Sequence, residues 1–187
     1  KDAALKTACY KCRKWALETA PRNSDGIVYH TKDKPQIWAD SMYMLPPYLA
    51  SIGEYSEAVK QMKGYFGILY HENAGLLSHM WDDGTKQFIR EAFWGVGNGW
   101  ALAGLARVID FLPQSMQTER EELIVMAKKL INGLLPYLRQ DDLFHDVVDD
   151  RTTFIETNLS QMFSYTLYRG MNSEWLPQSY LELAERL

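Results

Sequence analysis

Cysteine is nearly absent from this 187-residue chain, which holds only Cys9 and Cys12, spaced C-x-x-C within one amphipathic stretch. That spacing signals metal or redox chemistry only with a second ligand pair or a strand-to-helix setting, and neither is present. Both thiols are therefore expected to be buried as small apolar residues. The four histidines are scattered with no H-x-x-x-H pair, and no D-x-D-x-D-G loop occurs, so neither a zinc nor a calcium site is expected. Asp82-Asp83-Gly84 reads as a turn, and the acidic pairs at 141–142 and 149–150 as solvated surface. Positive charge is not in excess either: the net charge is −4, which gives phosphate backbones and anionic lipid nothing to bind. No apolar run approaches the ~20 residues of a membrane span. The first twenty residues are already an amphipathic helical pattern without a signal-peptide core, which favours a cytoplasmic location. There is no G-x-S-x-G elbow, no Walker loop, and no strand ahead of the glycine run at 95–99, so phosphate cradling is not supported.

What the chain does have is helical periodicity and aromatic side chains. Residues 2–20, 54–70, 102–112, 118–139, 156–169 and 177–187 read as helices, with Thr118 as a plausible N-cap. Tyr55, Ala58, Val59, Met62, Phe66 and Leu69 form one stripe, and Leu102, Leu105, Ala106, Ile109 and Leu112 another. Residues 141–150 could be a short extended piece, but no alternating run argues for a sheet. The expected fold class is all-α, a single domain over 1–187. Aromatic, glycine-bearing helices alternate with charged amphipathic ones, as an inner and an outer ring would require, in units of about 45 to 60 residues. Pro46-Pro47 either starts or kinks the first inner helix.

The unusual chemistry precedes the inner helices: YHTKDKPQIWAD (29–40), LLSHMWDDGTKQFIREAFWGVGNGW (76–100) and LFHDVVDDRTTFIETNLS (143–160). Parallel inner helices would open these loops at one end. His30, Trp38, Asp40, His79, Trp81, Asp82, Trp94, Asn98 and Trp100 would then share a cleft. The glycines at 95, 97 and 99 would let the chain turn sharply into the helix, with the tryptophans lining the cleft. Aromatics make up 13% of the chain, which suits either sugar stacking or ordinary core packing. Asp40 could be a helix-capping carboxylate or a general acid that keeps its proton among aromatic rings.

WADSMYMLPPYLASIG (38–53), LLSHMWDD (76–83), FWGVGNGWALAGLARVIDFLP (93–113) and VVDDRTTFIETNLSQMFSYTLYRG (147–170) together resemble the unsaturated rhamnogalacturonyl hydrolases and the related unsaturated glucuronyl hydrolases. The resemblance implies an (α/α)6 barrel of six helical hairpins. It also implies a glycoside hydrolase that releases an unsaturated uronic acid from the non-reducing end of lyase-generated oligosaccharides. By that resemblance Asp40 is the catalytic acid and base, and His30, His79, Trp81, Trp94, Asn98 and Trp100 bind substrate. No metal or organic cofactor is implied, and the partner is an oligosaccharide. Two departures stand out. Val96 occupies the place where the family motif Trp-Gly-Arg-Gly-Asn-Gly-Trp has arginine. And at this unit size 187 residues make roughly three and a half hairpins, so the ring is expected to be incomplete, closed by missing segments or by self-association. The alternative expectation is a non-catalytic glycan-binding or assembly module on the same fold.

Overall fold

The computed structural model describes residues 2–187. The chain is mostly helical: α1 Ala3–Lys14, α2 Ser41–Met44, α3 Pro46–Ser51, α4 Tyr55–Leu69, α5 Gly95–Phe111, α6 Gln117–Leu134, α7 Asn158–Asn172 and α8 Leu181–Arg186. Three hairpins follow α1, pairing α3 with α4, α5 with α6 and α7 with α8. Helix α5 packs against α3 on one side and α7 on the other, so α3, α5 and α7 form the inner row. The inner character shows in burial. Helix α5 is buried on nearly every side, whereas α6 buries one stripe, Leu123, Ala127, Leu130, Ile131 and Leu134. The two apolar stripes read from the sequence are core, apart from Tyr55, which is only partly buried.

Local chemistry sets the element ends. Proline does begin a helix: α2 stops at Met44 and α3 restarts at Pro46, where the missing N–H costs no hydrogen bond. Helix α6 begins one residue earlier than expected, after Met116, and Thr118 does not cap it. Helix α1 buries none of its residues, and Leu5 and Tyr10 are 65% and 62% exposed. The cysteine expectation is accordingly overturned, since Cys9 and Cys12 are free and exposed. An apolar stripe is buried only where a second surface meets it, and in this chain burial starts at Ala16.

Three small sheets, which the sequence did not suggest, fill the loops before the inner helices. Strands β1 Gln36–Trp38, β4 Met80–Asp82 and β5 Gln87–Arg90 form an antiparallel sheet in the order β1-β4-β5. Tyr70–His71 (β2) pairs with Leu76–Leu77 (β3), and Phe144–His145 (β6) with Ile155–Glu156 (β7). Residues 141–150 are extended only at β6. Strands of two to four residues carry too few side chains to display alternation.

The glycine run has a different purpose from the one expected. None of Gly95, Gly97 or Gly99 has a positive φ, and all three lie within the first turns of α5. They are there for close approach. A Cβ on Gly97 would sit 3.0 Å from the Trp94 ring and 3.2 Å from the Ala39 Cβ, and one on Gly99 would collide with Met162. Further along, Gly104 lets α5 cross the backbone of α2 at Met42. Gly104→Ala therefore forces two backbones apart and is expected to cost about 1–3 kcal/mol, despite alanine's better helix propensity. Gly67→Ala on the exposed face of α4, where a Cβ meets nothing, is expected to stabilise by up to about 1 kcal/mol. Urea unfolding of both variants checks the opposite signs.

Candidate active site

The close packing of α5 gathers the starts of the three inner helices. Gly95 N–H donates to the Asp146 carbonyl at 2.7 Å, and Val148 N–H to the Phe93 carbonyl at 2.9 Å, which ties the loop before α7 to the start of α5. Ala39, just ahead of α2, rests on Gly97 and donates its N–H to the His79 carbonyl at 3.0 Å. Asp40, His79 and Trp94, far apart in sequence, are thereby neighbours.

Asp40 does not cap α2, since its side chain makes no capping hydrogen bond. Its Oδ2 lies 3.2 Å from His79 Nε2 instead. His79 is nearly buried, with its ring against Trp94 (centroids 4.4 Å apart) and edge-on to Trp38 (5.7 Å). His30 stacks on the other side of Trp38 at 4.2 Å, and its Nδ1 is 2.9 Å from the Ser41 hydroxyl. The result is a row of rings, His30–Trp38–His79–Trp94, with one carboxylate beside it.

Five of the candidate cleft residues, His30, Trp38, Asp40, His79 and Trp94, are brought together. Trp100 joins α2 instead, its ring on Tyr43 at 4.7 Å. Trp81 does not reach the row. In β1 and β4, Trp38 pairs with Met80 and Ile37 with Trp81, so Trp81 shares the face of the fully buried Ile37 and packs edge-on to Phe88 at 5.0 Å. Asn98 is fully buried and consumed by backbone: its Oδ1 accepts from Leu77 N–H at 2.9 Å, and its Nδ2 donates to the Leu77 and Trp94 carbonyls. It supports the site from beneath, and Asp82 caps its own turn through Thr85.

Two residues were missed by sequence reasoning. Arg90 on β5 donates from Nη1 to His79 Nδ1 at 2.9 Å and lies over the Trp94 ring at 5.5 Å. Asp146 accepts from the Trp94 indole N–H at 2.9 Å. Neither sits in a motif, and only the fold places them. Beside His30 and Ser41 opens an apolar cavity of about 530 Å³, walled in part by Cys12, Trp15, Tyr29 and Tyr48.

The electrostatics reverse one expectation. Burial alone pushes the Asp40 carboxyl upward, but hydrogen bonds from His79 and from its own backbone N–H outweigh it and hold Asp40 below its ordinary value. Asp40 thus rests as a carboxylate rather than keeping its proton. Burial holds His30 below its ordinary value, against the pull of Asp40, and so keeps it neutral at pH 7. A carboxyl whose folded pKa is depressed adds stability above its unfolded value of 3.8 and loses it as pH falls through the lower folded value. The difference in unfolding free energy between the native protein and Asp40→Asn should therefore be level near neutrality and shrink on acidification below pH 3.8. Urea titrations at several pH values test this; a difference that grows instead would mean that burial dominates.

The sequence profile described as Glycosyl Hydrolase Family 88 matches residues 1–187. The unsaturated rhamnogalacturonyl hydrolase YesR of Bacillus subtilis is 25% identical over 175 residues, covering 85% of this chain and 49% of that protein. An unsaturated 3S-rhamnoglycuronyl hydrolase of Formosa agariphila is 26% identical over 165 residues, covering 79% of this chain and 43% of its own length. The chain thus spans about half the length of the curated relatives it matches. Among solved structures, a family 105 glycoside hydrolase of C. acetobutylicum superposes with a TM-score of 0.88 at 24% identity, over 97% of this chain and 55% of that one. An unsaturated glucuronyl hydrolase of Bacillus sp. GL1 gives 0.70 at 14% identity, over 100% and 50%. These likenesses give the six-hairpin glycosidase fold, of which three hairpins and α1 are present here. The chain belongs to glycosyl hydrolase family 88.

Proposed function

We propose that the protein hydrolyses lyase-generated oligosaccharides, releasing the unsaturated uronic acid from the non-reducing end. The observation that supports this best is the pairing of Asp40 with His79 beside a row of aromatic rings, with one carboxylate free to exchange a proton. In this reading Asp40 gives its proton to C4 of the C4=C5 double bond, leaving positive charge at C5 that the ring oxygen shares. Water adds at C5 and returns a proton to the Asp40 carboxylate. The hemiketal so formed opens, and the bond to the next sugar breaks.

The resting carboxylate is compatible with an acid role in the complex. A bound uronate brings its own negative charge next to Asp40 and displaces water, and both effects raise the carboxyl's proton affinity. The partly exposed rings of Trp38 and Trp94 offer apolar surface for the sugar beyond what His30, His79 and Arg90 cover. His30 offers a neutral imidazole, and the apolar cavity beside His30 has room for the neighbouring sugar.

Val96 favours a second reading. It is half-buried, one helical turn from Trp100 on the only accessible stripe of this end of α5, and it cannot supply the motif's guanidinium. A protein that binds these glycans without cleaving them would have the same aromatic row.

Ultraviolet absorbance of the conjugated double bond separates the readings. With disaccharides from pectin and glycosaminoglycan lyase digests, the native protein should remove the absorbance, and Asp40→Asn should slow the loss by roughly 10²-fold or more. A flat trace from folded native protein that still binds the disaccharides would favour the binding module.

A further inference from the structure

The sheet beside the site carries an irregularity that aims a cation. Gln87 pairs with Asp82 and Phe88 with Trp81, and regular pairing would then set Ile89 opposite Met80. A bulge intervenes, and Arg90 stands opposite Met80 instead. Met80 in turn faces Trp38, so the extra residue moves Arg90 onto the face that carries Trp38. From there its guanidinium spans His79 and Trp94, with Nη2 4.0 Å from Asp146 Oδ2. Asp146 is fixed by the Trp94 indole, so the guanidinium is held from three sides.

Arginine has N–H groups to donate and nothing that accepts. Its hydrogen bond to His79 Nδ1 therefore requires a lone pair on that nitrogen, and the ring's single proton resides on Nε2. That N–H is the one directed at Asp40 Oδ2. We propose that Arg90 is the positioning residue of this site: it fixes His79 as the Nε2–H tautomer and so makes His79 a donor to the Asp40 carboxylate, never a competing base. Asp40 is then the one group of the row that takes up and returns the proton. The bulge on β5 thus brings a guanidinium to a site where Val96 of α5 provides none, from a different element.

The consequence for turnover rests on the hydrolase reading, but the tautomer does not. Nitrogen-15 NMR of the histidine rings in the whole chain reads it directly, with His79→Gln used to assign the signals. The native protein should show His79 protonated at Nε2 and bare at Nδ1, and Arg90→Met should shift both nitrogens towards a tautomer mixture. Arg90→Lys, which still donates to Nδ1, should keep the native pattern and serves as the folded control should Arg90→Met fail to fold. A His79 spectrum unchanged in folded Arg90→Met, or Nδ1 protonated in the native protein, would overturn the proposal. Where the native protein turns over unsaturated disaccharides, Arg90→Met should lower kcat by roughly tenfold or more with little change in KM, and Arg90→Lys should recover most of it. A KM effect alone would assign Arg90 to substrate contact and overturn the positioning role. A native protein without turnover but with the Nε2–H signature would leave this inference standing and remove the hydrolase reading.

Discussion

Everything near the site depends on how closely α5 can approach its neighbours. At Gly104 it passes over the backbone of α2, at Gly97 it receives Ala39 and the Trp94 ring, at Gly95 it meets the carbonyls of His145 and Asp146, and at Gly99 it admits Met162 from α7. A side chain at Gly104 would push α5 away from the backbone of α2, and one at Gly95, Gly97 or Gly99 would displace the loop carbonyls, the Trp94 ring and Ala39, or the Met162 side chain. Asn98, placed between two of these glycines, uses its amide to fix the Leu77 backbone, and Leu77 lies two residues before His79. The same turn of helix therefore sets the position of Asp40 through Ala39 and of His79 through Leu77. Loss of the Asn98 amide would leave buried Leu77 groups without partners, at about 1–3 kcal/mol for each.

On this frame the charges are arranged in a definite order. Asp146 steadies the indole of Trp94 and stands 4.0 Å from Arg90, Arg90 donates to His79, and His79 donates to Asp40. From Arg90 the hydrogen bonds run through His79 to Asp40, while Asp146 at the other end accepts from the Trp94 indole and lies towards Arg90. The other nearby carboxylates are occupied elsewhere: Asp82 by Thr85, Asp83 by Lys86 and Tyr29. Direction matters more here than any single bond strength. It decides which group can still move a proton.

The longer helices, α4 to α7, were legible in the sequence because their periods run for three turns or more. The apolar stripes of α4 and α5 are long enough for the 3.6-residue repeat to stand out against chance. His30, Asp40, His79 and Trp94 were legible because each sits next to an inner-helix start, or in a motif with a strong resemblance. What could not be read has physical causes of its own. Strands β1, β4 and β5 are too short to show alternation, and without them the opposite facing of Trp38 and Trp81 is invisible. The cysteines of α1 were misjudged because amphipathicity reports a face, not a neighbour to cover it. Asn98 was expected in the cleft because it stands at an inner-helix start, within a stretch that carries the family resemblance; its three backbone partners appear only in three dimensions. Arg90 depends on one extra residue in a strand, and Asp146 on a bridge between segments some fifty residues apart.

The count of free carboxylates bears on the chemistry in a way that fold alone does not. Displacement at a glycosidic carbon needs two carboxyl groups, one to protonate the leaving oxygen and one to attack or to activate water. The row contains Asp40 and Asp146, but Asp146 has one oxygen on the Trp94 indole and the other turned towards Arg90, so it is spent on holding the aromatic wall. One mobile carboxylate is sufficient only where acid and base act in succession on the same substrate, as in hydration of a double bond. In the proposed hydration, proton delivery to C4 would leave Asp40 as the base that water addition at C5 then requires. His79, a donor to Asp40 throughout, suits that cycle because it stabilises the ionised half and leaves the proton where the carboxylate needs it. Among the described residues of the row, what Asp146 is already bonded to leaves Asp40 as the carboxylate free to exchange a proton, which is the group the proposed hydration uses.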